Sequence, residues 1–152
     1  MLRLALYHPQ IPQNTGTLMR FCACMDIGLD IIHPIGFILD DKRLLRSSMD
    51  YRKHLNLREH VSFQHFCDFY ATRRMVALDL HQHASDYCEF EYHAGDVLVA
   101  GTEAFGFKEH DLACFSHFVQ IPMRNNLRSL NMAMAAGIVA SHAQNVLLRA
   151  TL

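Results

Sequence analysis

The chain has 152 residues, 51% of them hydrophobic, and its 14 Lys and Arg residues nearly balance 15 Asp and Glu residues. This length and composition exclude a mainly disordered chain and predict one domain over residues 1–152. The net charge of −1 with neutral histidines also excludes a uniformly basic nucleic-acid-binding module.

The charge is unevenly distributed along the chain. Lys42–Arg58 contains six basic residues against one acidic residue, whereas Asp79–Asp111 contains eight acidic residues against one basic residue. The basic segment is equally compatible with a solvated face and with a phosphate-binding surface on which Tyr51 stacks against a base. The near-neutral total charge is therefore compatible with a localised nucleic-acid-binding surface.

Short apolar runs separated by polar or glycine-rich segments predict alternating strands and helices. Strands are predicted at residues 2–7, 29–33, 74–80, 96–100 and 118–121. We expect the first helix to begin after an N-cap at Asn14 or Thr15 and to end near Gly28, and a long last helix to span 129–148 with Ser129 as its N-cap. Because the strands are continuously apolar, this pattern predicts an α/β fold with a mostly parallel sheet and helices on both faces.

Cysteine usage and apolar run lengths indicate the compartment. The five cysteines form no C-x-x-C pair, which predicts free, buried thiols in a reducing cytoplasm. The first apolar run is too short for a signal peptide, and the run at 132–140 is too short to span a bilayer, so we expect a soluble protein without a membrane partner. No Cys or third His stands at metal-ligand spacing from His81 and His83, so the sequence predicts no metal site there.

Three loops follow predicted strands and carry glycine or polar residues, at 10–16, 101–106 and 122–131. Ligands of α/β sheets bind outside the carboxyl ends of the strands, so the coincidence indicates a binding site there. Taken singly, the Gly-x-Glu-x-x-Gly of 101–106 is also compatible with a plain turn and Ser129 with a helix cap. The dinucleotide, P-loop and hydrolase-elbow motifs are missing from the sequence.

Three segments resemble, in order and spacing, the motifs of the SpoU-type SPOUT RNA methyltransferases. They are NTGTLMR at 14–20, VAGTEAFG at 99–106, and IPM at 121–123 followed by SLNMAMAA at 129–136. The short length, PQIPQNTG at 9–16 and DDKR at 40–43 further resemble the subfamily that methylates the 2′-hydroxyl of the tRNA wobble nucleotide. The resemblance covers residues 1–148.

The resemblance implies a deep C-terminal trefoil knot, a homodimer, S-adenosylmethionine as cofactor and tRNA as partner. It implies a cofactor pocket with these residues: Leu78, Gly101, Glu103, Gly106, Ile121, Met123, Ser129 and Leu130. It implies an RNA-binding surface with these: Lys42, Arg43, Arg46, Tyr51, Arg52, Lys53 and Arg128.

The resemblance also assigns catalytic roles. Methyl transfer to a ribose hydroxyl is an in-line displacement, which needs alignment and stabilisation of the developing oxyanion. We expect Arg20 to provide this stabilisation, Asn14 and Asn131 to orient the substrate or hold the loops, and Glu103 to fix the second loop.

Two departures from the family pattern keep alternatives open. Phe107-Lys108 stands where the family commonly has Leu-Pro, and Ala133-Met134 where it often has serine. The alternatives are a 2′-O-methyltransferase of another tRNA or rRNA site, and a non-catalytic RNA-binding protein that retains the fold. A small-molecule methyltransferase is disfavoured by the basic segment.

Overall fold

The computed structural model describes residues 1–40, 42–125, 127 and 129–150, and its centre is a seven-stranded sheet. The strands are β1 (Arg3–Tyr7), β2 (Gly28–Ile32), β3 (Leu57–His60), β4 (Met75–Leu78), β5 (Ser85–Asp86), β6 (Val97–Ala100) and β7 (His117–Gln120). Their spatial order is β3-β2-β1-β6-β4-β7-β5, and the paired strands run parallel.

Helices connect these strands and cover both faces of the sheet. They are α1 (Pro12–Met25), α2 (Lys42–Ser48), α3 (Phe63–Phe69), α4 (Glu109–Leu112) and α5 (Met132–Arg149), with a 3-10 helix at Met49–His54. The predicted α/β fold with a parallel sheet is confirmed.

Side chains that alternate along the strands build two cores. In β1, Leu4 and Leu6 join the apolar cluster beneath α1 and α5, whereas Ala5 and Tyr7 join an aromatic cluster with Phe66 of α3. All five β1 residues are buried, as expected for a parallel strand covered on both faces.

A buried polar network joins β1, β2 and β3. The Arg3 guanidinium pairs with Asp30, whose carboxylate also contacts His60 at 2.7 Å and accepts a hydrogen bond from the Tyr70 hydroxyl at 3.0 Å. The Arg3 side chain lies across Gly28, where an added Cβ would come within 2.2 Å of the guanidinium. The network keeps the two buried charges paired, which their burial requires.

Both predicted helix caps are wrong. Helix α1 begins at Pro12 after Ile11, which makes no side-chain cap, and Asn14 and Thr15 lie inside the helix. Helix α5 begins three residues later than expected, and its N-cap is Asn131, whose side chain accepts a hydrogen bond from the Met134 backbone N–H. A distant loop, described below, contacts the start of α1, whereas the cap of α5 is local.

The sequence prediction named neither β3 nor β5. Strand β3 lies at the edge of the sheet and reads Leu-Arg-Glu-His, with Arg58 and Glu59 exposed. Strand β5 has only two residues. Neither has the apolar run by which the other strands were recognised.

All five cysteines are free, but the prediction that they are buried is right only for Cys22. Cys67 is partly buried, and three others, Cys24, Cys88 and Cys114, are exposed. Burial raises the pKa of Cys22 to about 12, so this thiol stays protonated.

In the described part of the chain, no helix combines the length and apolar character that a bilayer crossing needs.

Candidate active site

Three loops meet at the carboxyl edge of the sheet, where they follow β1, β6 and β7. Strands β1 and β6 are neighbours, and β4 lies between β6 and β7. The loops after β1, β6 and β7 are therefore brought together, although some 90 residues separate the first from the second. These are the three loops that the sequence singled out.

Glu103 ties the second loop to the first. Its two carboxylate oxygens accept hydrogen bonds from the backbone N–H groups of Gln10 at 2.9 Å and Ile11 at 3.0 Å. These groups lie at the start of α1, where free N–H groups and the helix dipole favour a negative charge. Glu103 thus binds the N–H of the N-cap residue Ile11 from outside the helix, where α1 has no side-chain cap of its own.

Asn14 joins all three loops in one chain of contacts. Its amide nitrogen lies 3.5 Å from a Glu103 oxygen, and its amide oxygen accepts a hydrogen bond from Asn131 at 3.1 Å. The Asn131 oxygen in turn caps α5 at Met134. Asn14 is buried and Glu103 is partly buried, so solvent competes little with the first of these contacts.

The second loop is closed tightly on itself. Thr102 and Gly106 exchange backbone hydrogen bonds at 2.9 and 3.2 Å, and the Thr102 hydroxyl bonds to Gly106 as well. A Cβ on Gly101 would lie 2.7 Å from the Gly106 backbone. Gly106 itself has φ of +66°, which other residues rarely adopt. Both glycines are therefore required by the loop's shape.

Two adjoining pockets lie between these loops and share Leu78, Ser129 and Leu130 as a wall. The first, of about 150 Å³, also contains Ile121 and Met123. The second, of about 270 Å³, contains three more of the predicted residues, Gly101, Glu103 and Gly106. The structure thus brings all eight predicted cofactor-binding residues to one cleft, while their contacts with a cofactor stay predictions.

The sequence prediction missed Asp79 and Leu80, which line both pockets. Asp79 directly follows β4, so its place at a strand's carboxyl end was the signal that could have identified it. Burial raises the pKa of its carboxyl above the usual value, and nearby His81 partly offsets this effect. Val139 on α5 also lines the first pocket.

Arg20 contacts Tyr51 of the basic segment. It is exposed on α1, and its guanidinium carbon stands 5.1 Å from the centre of the Tyr51 ring. This cation–π contact joins α1 to the 3-10 helix of the basic segment. The predicted catalytic arginine therefore adjoins the predicted RNA-binding surface.

The predicted RNA-binding residues lie mainly at the surface. Lys42, Arg43 and Arg46 are exposed on α2, Lys53 is exposed on the 3-10 helix, and Arg52 lies 3.7 Å from Asp40. Arg128 lies outside the described residues. Exposure leaves the described cations accessible to phosphate groups, and their role stays a prediction.

The departures at Phe107 and Ala133 have a packing explanation. Phe107 is buried, with its ring centre 5.1 Å from those of Tyr7 and Phe115. Ala133 is buried in the main core beneath α5, whereas Met134 is 58% exposed. The aromatic ring and the methyl group thus fill apolar space beside the loops.

Among the described residues, no three His, Cys, Asp or Glu side chains are grouped as metal ligands. His81 instead stacks on Phe118, with ring centres 4.1 Å apart.

An apolar groove of about 550 Å³ runs between α1 and α5 and contains Phe21, Gly137 and Ile138. The homodimer stays a prediction.

Comparison with known proteins agrees with this geometry. Residues 1–141 match the model of the SpoU rRNA Methylase family. A tRNA (cytidine(34)-2′-O)-methyltransferase of Beijerinckia indica is 40% identical over 142 residues, which cover 92% of this chain and 88% of that protein. The protein of the same name from Escherichia coli K12 is 34% identical over 145 residues, covering 94% and 92%.

Solved structures show the same fold. One, described as giving insight into the 2-OH methylation of C/U34 on tRNA, has a TM-score of 0.89 and 39% identity, covering 94% of this chain and 93% of that one. The SpoU methyltransferase AviRb of Streptomyces viridochromogenes, solved in complex with AdoMet, has a TM-score of 0.86 and 22% identity, covering 96% and 57%. The matched motifs, the three joined loops and the shared fold lead to one conclusion: the chain belongs to the SpoU rRNA Methylase family.

Proposed function

We propose that this protein transfers the methyl group of S-adenosylmethionine to the ribose 2′-hydroxyl of nucleotide 34 in tRNA. The observation that carries the proposal is the chain of contacts Glu103–Asn14–Asn131, which fixes three motif loops around one cleft. The relatives with this activity match the chain over nearly its whole length, which supports the choice of substrate.

The cleft suits the proposed cofactor chemically. The first pocket is lined mainly by apolar side chains such as Leu78, Ile121 and Val139, which can pack against both faces of an adenine ring. Backbone groups of the surrounding loops can bind the edge of the base. When bound, S-adenosylmethionine would supply an electrophilic methyl group to the 2′-oxygen; the sulfur would leave as a neutral thioether, and the proton of the hydroxyl would pass to solvent.

Residues of the chain align the acceptor and stabilise its charge. Arg20 contacts the reacting ribose or its phosphate and stabilises the negative charge that develops on the 2′-oxygen. Asn14 and Asn131 hold the three loops in place around the cleft. A displacement of about 1 Å in such an arrangement costs about a hundredfold in rate, so the contacts between loops matter for turnover.

The exposed cations of Lys42–Arg58 bind the tRNA backbone in this proposal. Local positive charge is what phosphate contacts require, and binding is expected to weaken as salt increases. The reaction takes place in the cytoplasm in this proposal. Two copies of the chain form a homodimer through the groove between α1 and α5, and the C-terminal segment is threaded as a trefoil knot.

The test is methyl transfer from labelled S-adenosylmethionine to total bacterial tRNA, followed by mass-spectrometric mapping of the modified nucleoside. We expect one 2′-O-methylated ribose, at nucleotide 34. Label at another tRNA or rRNA position would support the alternative substrate, and no label despite cofactor binding would support a non-catalytic RNA-binding protein.

Replacing Arg20 tests the catalytic assignment. Arg20→Ala is expected to lower kcat by about a hundredfold or more, as removal of an oxyanion-stabilising group does, with little change in cofactor affinity. Arg73→Ala is the matched control, because Arg73 is exposed just before β4, at the opposite edge of the sheet. Near-normal turnover of the Arg20 variant would contradict the assignment.

A further inference from the structure

Asp79 is the charged group that the proposed function leaves without a role. It follows β4 and stands where the two pockets of the cleft adjoin, since it lines both. Its backbone N–H donates to the Val119 carbonyl, which fixes the residue against β7. The position is therefore set by the sheet rather than by a mobile loop.

The Asp79 carboxylate faces the second pocket. A Cβ placed on Gly106 would lie 3.4 Å from the Asp79 Oδ2 atom, so Gly106 borders this oxygen and leaves the space before it open. Among the described residues, no side chain or backbone group donates a hydrogen bond to this carboxylate. A partly buried carboxylate without a donor is costly, and a cation in the cleft would offset that cost.

The described lining of the two pockets contains no Lys, Arg or His side chain, although His81, two residues further along the chain, lies close enough to favour the ionised form of Asp79. Asp79 is the one ionisable side chain among the described residues that line the first pocket. In the second, the described lining adds only Glu103, whose oxygens already accept from Gln10 and Ile11. A positively charged ligand atom is therefore the partner that the described lining leaves the Asp79 carboxylate to contact.

The layout of the cleft indicates which part of the ligand this is. If the adenine occupies the apolar first pocket, the rest of the cofactor extends into the second pocket, whose lining residue Glu103 contacts Asn14. The sulfur then lies near the junction of the two pockets, where Asp79 stands. S-adenosylmethionine has a positively charged sulfonium there, whereas its product S-adenosylhomocysteine has a neutral thioether.

We propose that Asp79 recognises the sulfonium charge and makes the cleft prefer the methyl donor over the demethylated product. The inference rests on the proposed function, because it takes S-adenosylmethionine as the ligand. Asp79 acts as a specificity-determining residue: it favours entry of the charged donor and weakens binding of the spent cofactor. It takes no part in bond making or breaking.

The test is calorimetric binding of four ligands to the full chain and to Asp79→Asn, which keeps the size of the side chain and removes its charge. S-adenosylmethionine and sinefungin carry a positive charge at or beside the sulfur position, S-adenosylhomocysteine has the amino acid but a neutral sulfur, and 5′-methylthioadenosine lacks the amino acid. We expect the variant to bind the first two about tenfold more weakly and the last two with unchanged or higher affinity. Asp68→Asn, the same change at an exposed carboxylate on α3 outside both pockets, is the matched control and should leave all four affinities unchanged.

Equal weakening of S-adenosylmethionine and S-adenosylhomocysteine would overturn the proposal, because the carboxylate would then bind atoms that both share. Unchanged binding of S-adenosylmethionine would overturn it as well. If thermal unfolding shows that the variant does not fold, the wild-type protein decides: it should bind S-adenosylmethionine more tightly than S-adenosylhomocysteine, and the reverse order contradicts the proposal. A wild-type protein that binds none of the four ligands would instead refute the proposed function.

Discussion

Replacing Glu103 by glutamine should loosen the joint between the first two loops. The carboxylate accepts two backbone hydrogen bonds, at 2.9 and 3.0 Å. Bonds to a charged acceptor contribute about 1.5–3 kcal/mol each, against about 0.5–1.5 kcal/mol for neutral pairs. Glutamine keeps one acceptor oxygen and sets its NH₂ group against the second backbone N–H, so one bond is lost and the other weakened.

The expected cost of Glu103→Gln is about 2 kcal/mol in the free energy of unfolding, after allowing for solvent screening of a partly exposed group. Because the same contact shapes the second pocket, affinity for S-adenosylmethionine should fall by about tenfold, which corresponds to about 1.4 kcal/mol. Urea unfolding and calorimetric titration measure the two effects. Glu89→Gln, at an exposed position away from these loops, is the control and should change neither quantity. If Glu103→Gln behaves like this control, the loop joint is refuted.

Three further changes test other parts of the structure. Tyr51→Leu removes the 5.1 Å cation–π contact with Arg20, which contributes about 0.5–1 kcal/mol at an exposed site. The variant should lower kcat two- to fivefold, and Tyr51→Phe should restore it. Equal activity of the two variants would contradict a positioning role for Tyr51. Gly101→Ala places a Cβ 2.7 Å from the Gly106 backbone, which causes strain of about 1–3 kcal/mol. Calorimetry should therefore show weaker cofactor binding. An affinity equal to that of the wild type would show that the loop does not need this close approach. Asp30→Asn leaves the buried Arg3 without its counter-charge and should lower the free energy of unfolding in urea by about 3–5 kcal/mol. Glu59→Gln, in a solvent-exposed pair, should lower it by less than about 1 kcal/mol. Similar losses in the two variants would refute the importance of burial.

The central strands were predictable from sequence because burial on both faces leaves a continuous apolar run. β1, β4 and β6 are of this kind, and each was expected within two residues of its observed bounds. The edge strand β3 was not predicted, because its exposed face admits Arg58 and Glu59. The sheet order, with β4 between β6 and β7, also depends on contacts that no local pattern encodes.

The candidate site was predictable where a motif carried it and not where tertiary contacts did. The eight predicted pocket residues lie in motif loops or at the end of β4, and they meet in one cleft. The contact at the start of α1 was missed because Glu103 makes it from about 90 residues away. Residue type alone predicts Ser129 as the cap of α5, whereas Asn131 has the position from which its side chain reaches both Met134 and Asn14.

The central claim is that nucleotide 34 of tRNA accepts the methyl group through its 2′-hydroxyl. The most direct test is to compare two synthetic tRNAs that differ in one atom, the ordinary tRNA and one with a 2′-deoxyribose at position 34, using labelled S-adenosylmethionine. We predict stoichiometric incorporation into the first and none into the second. Equal incorporation into both would contradict the account.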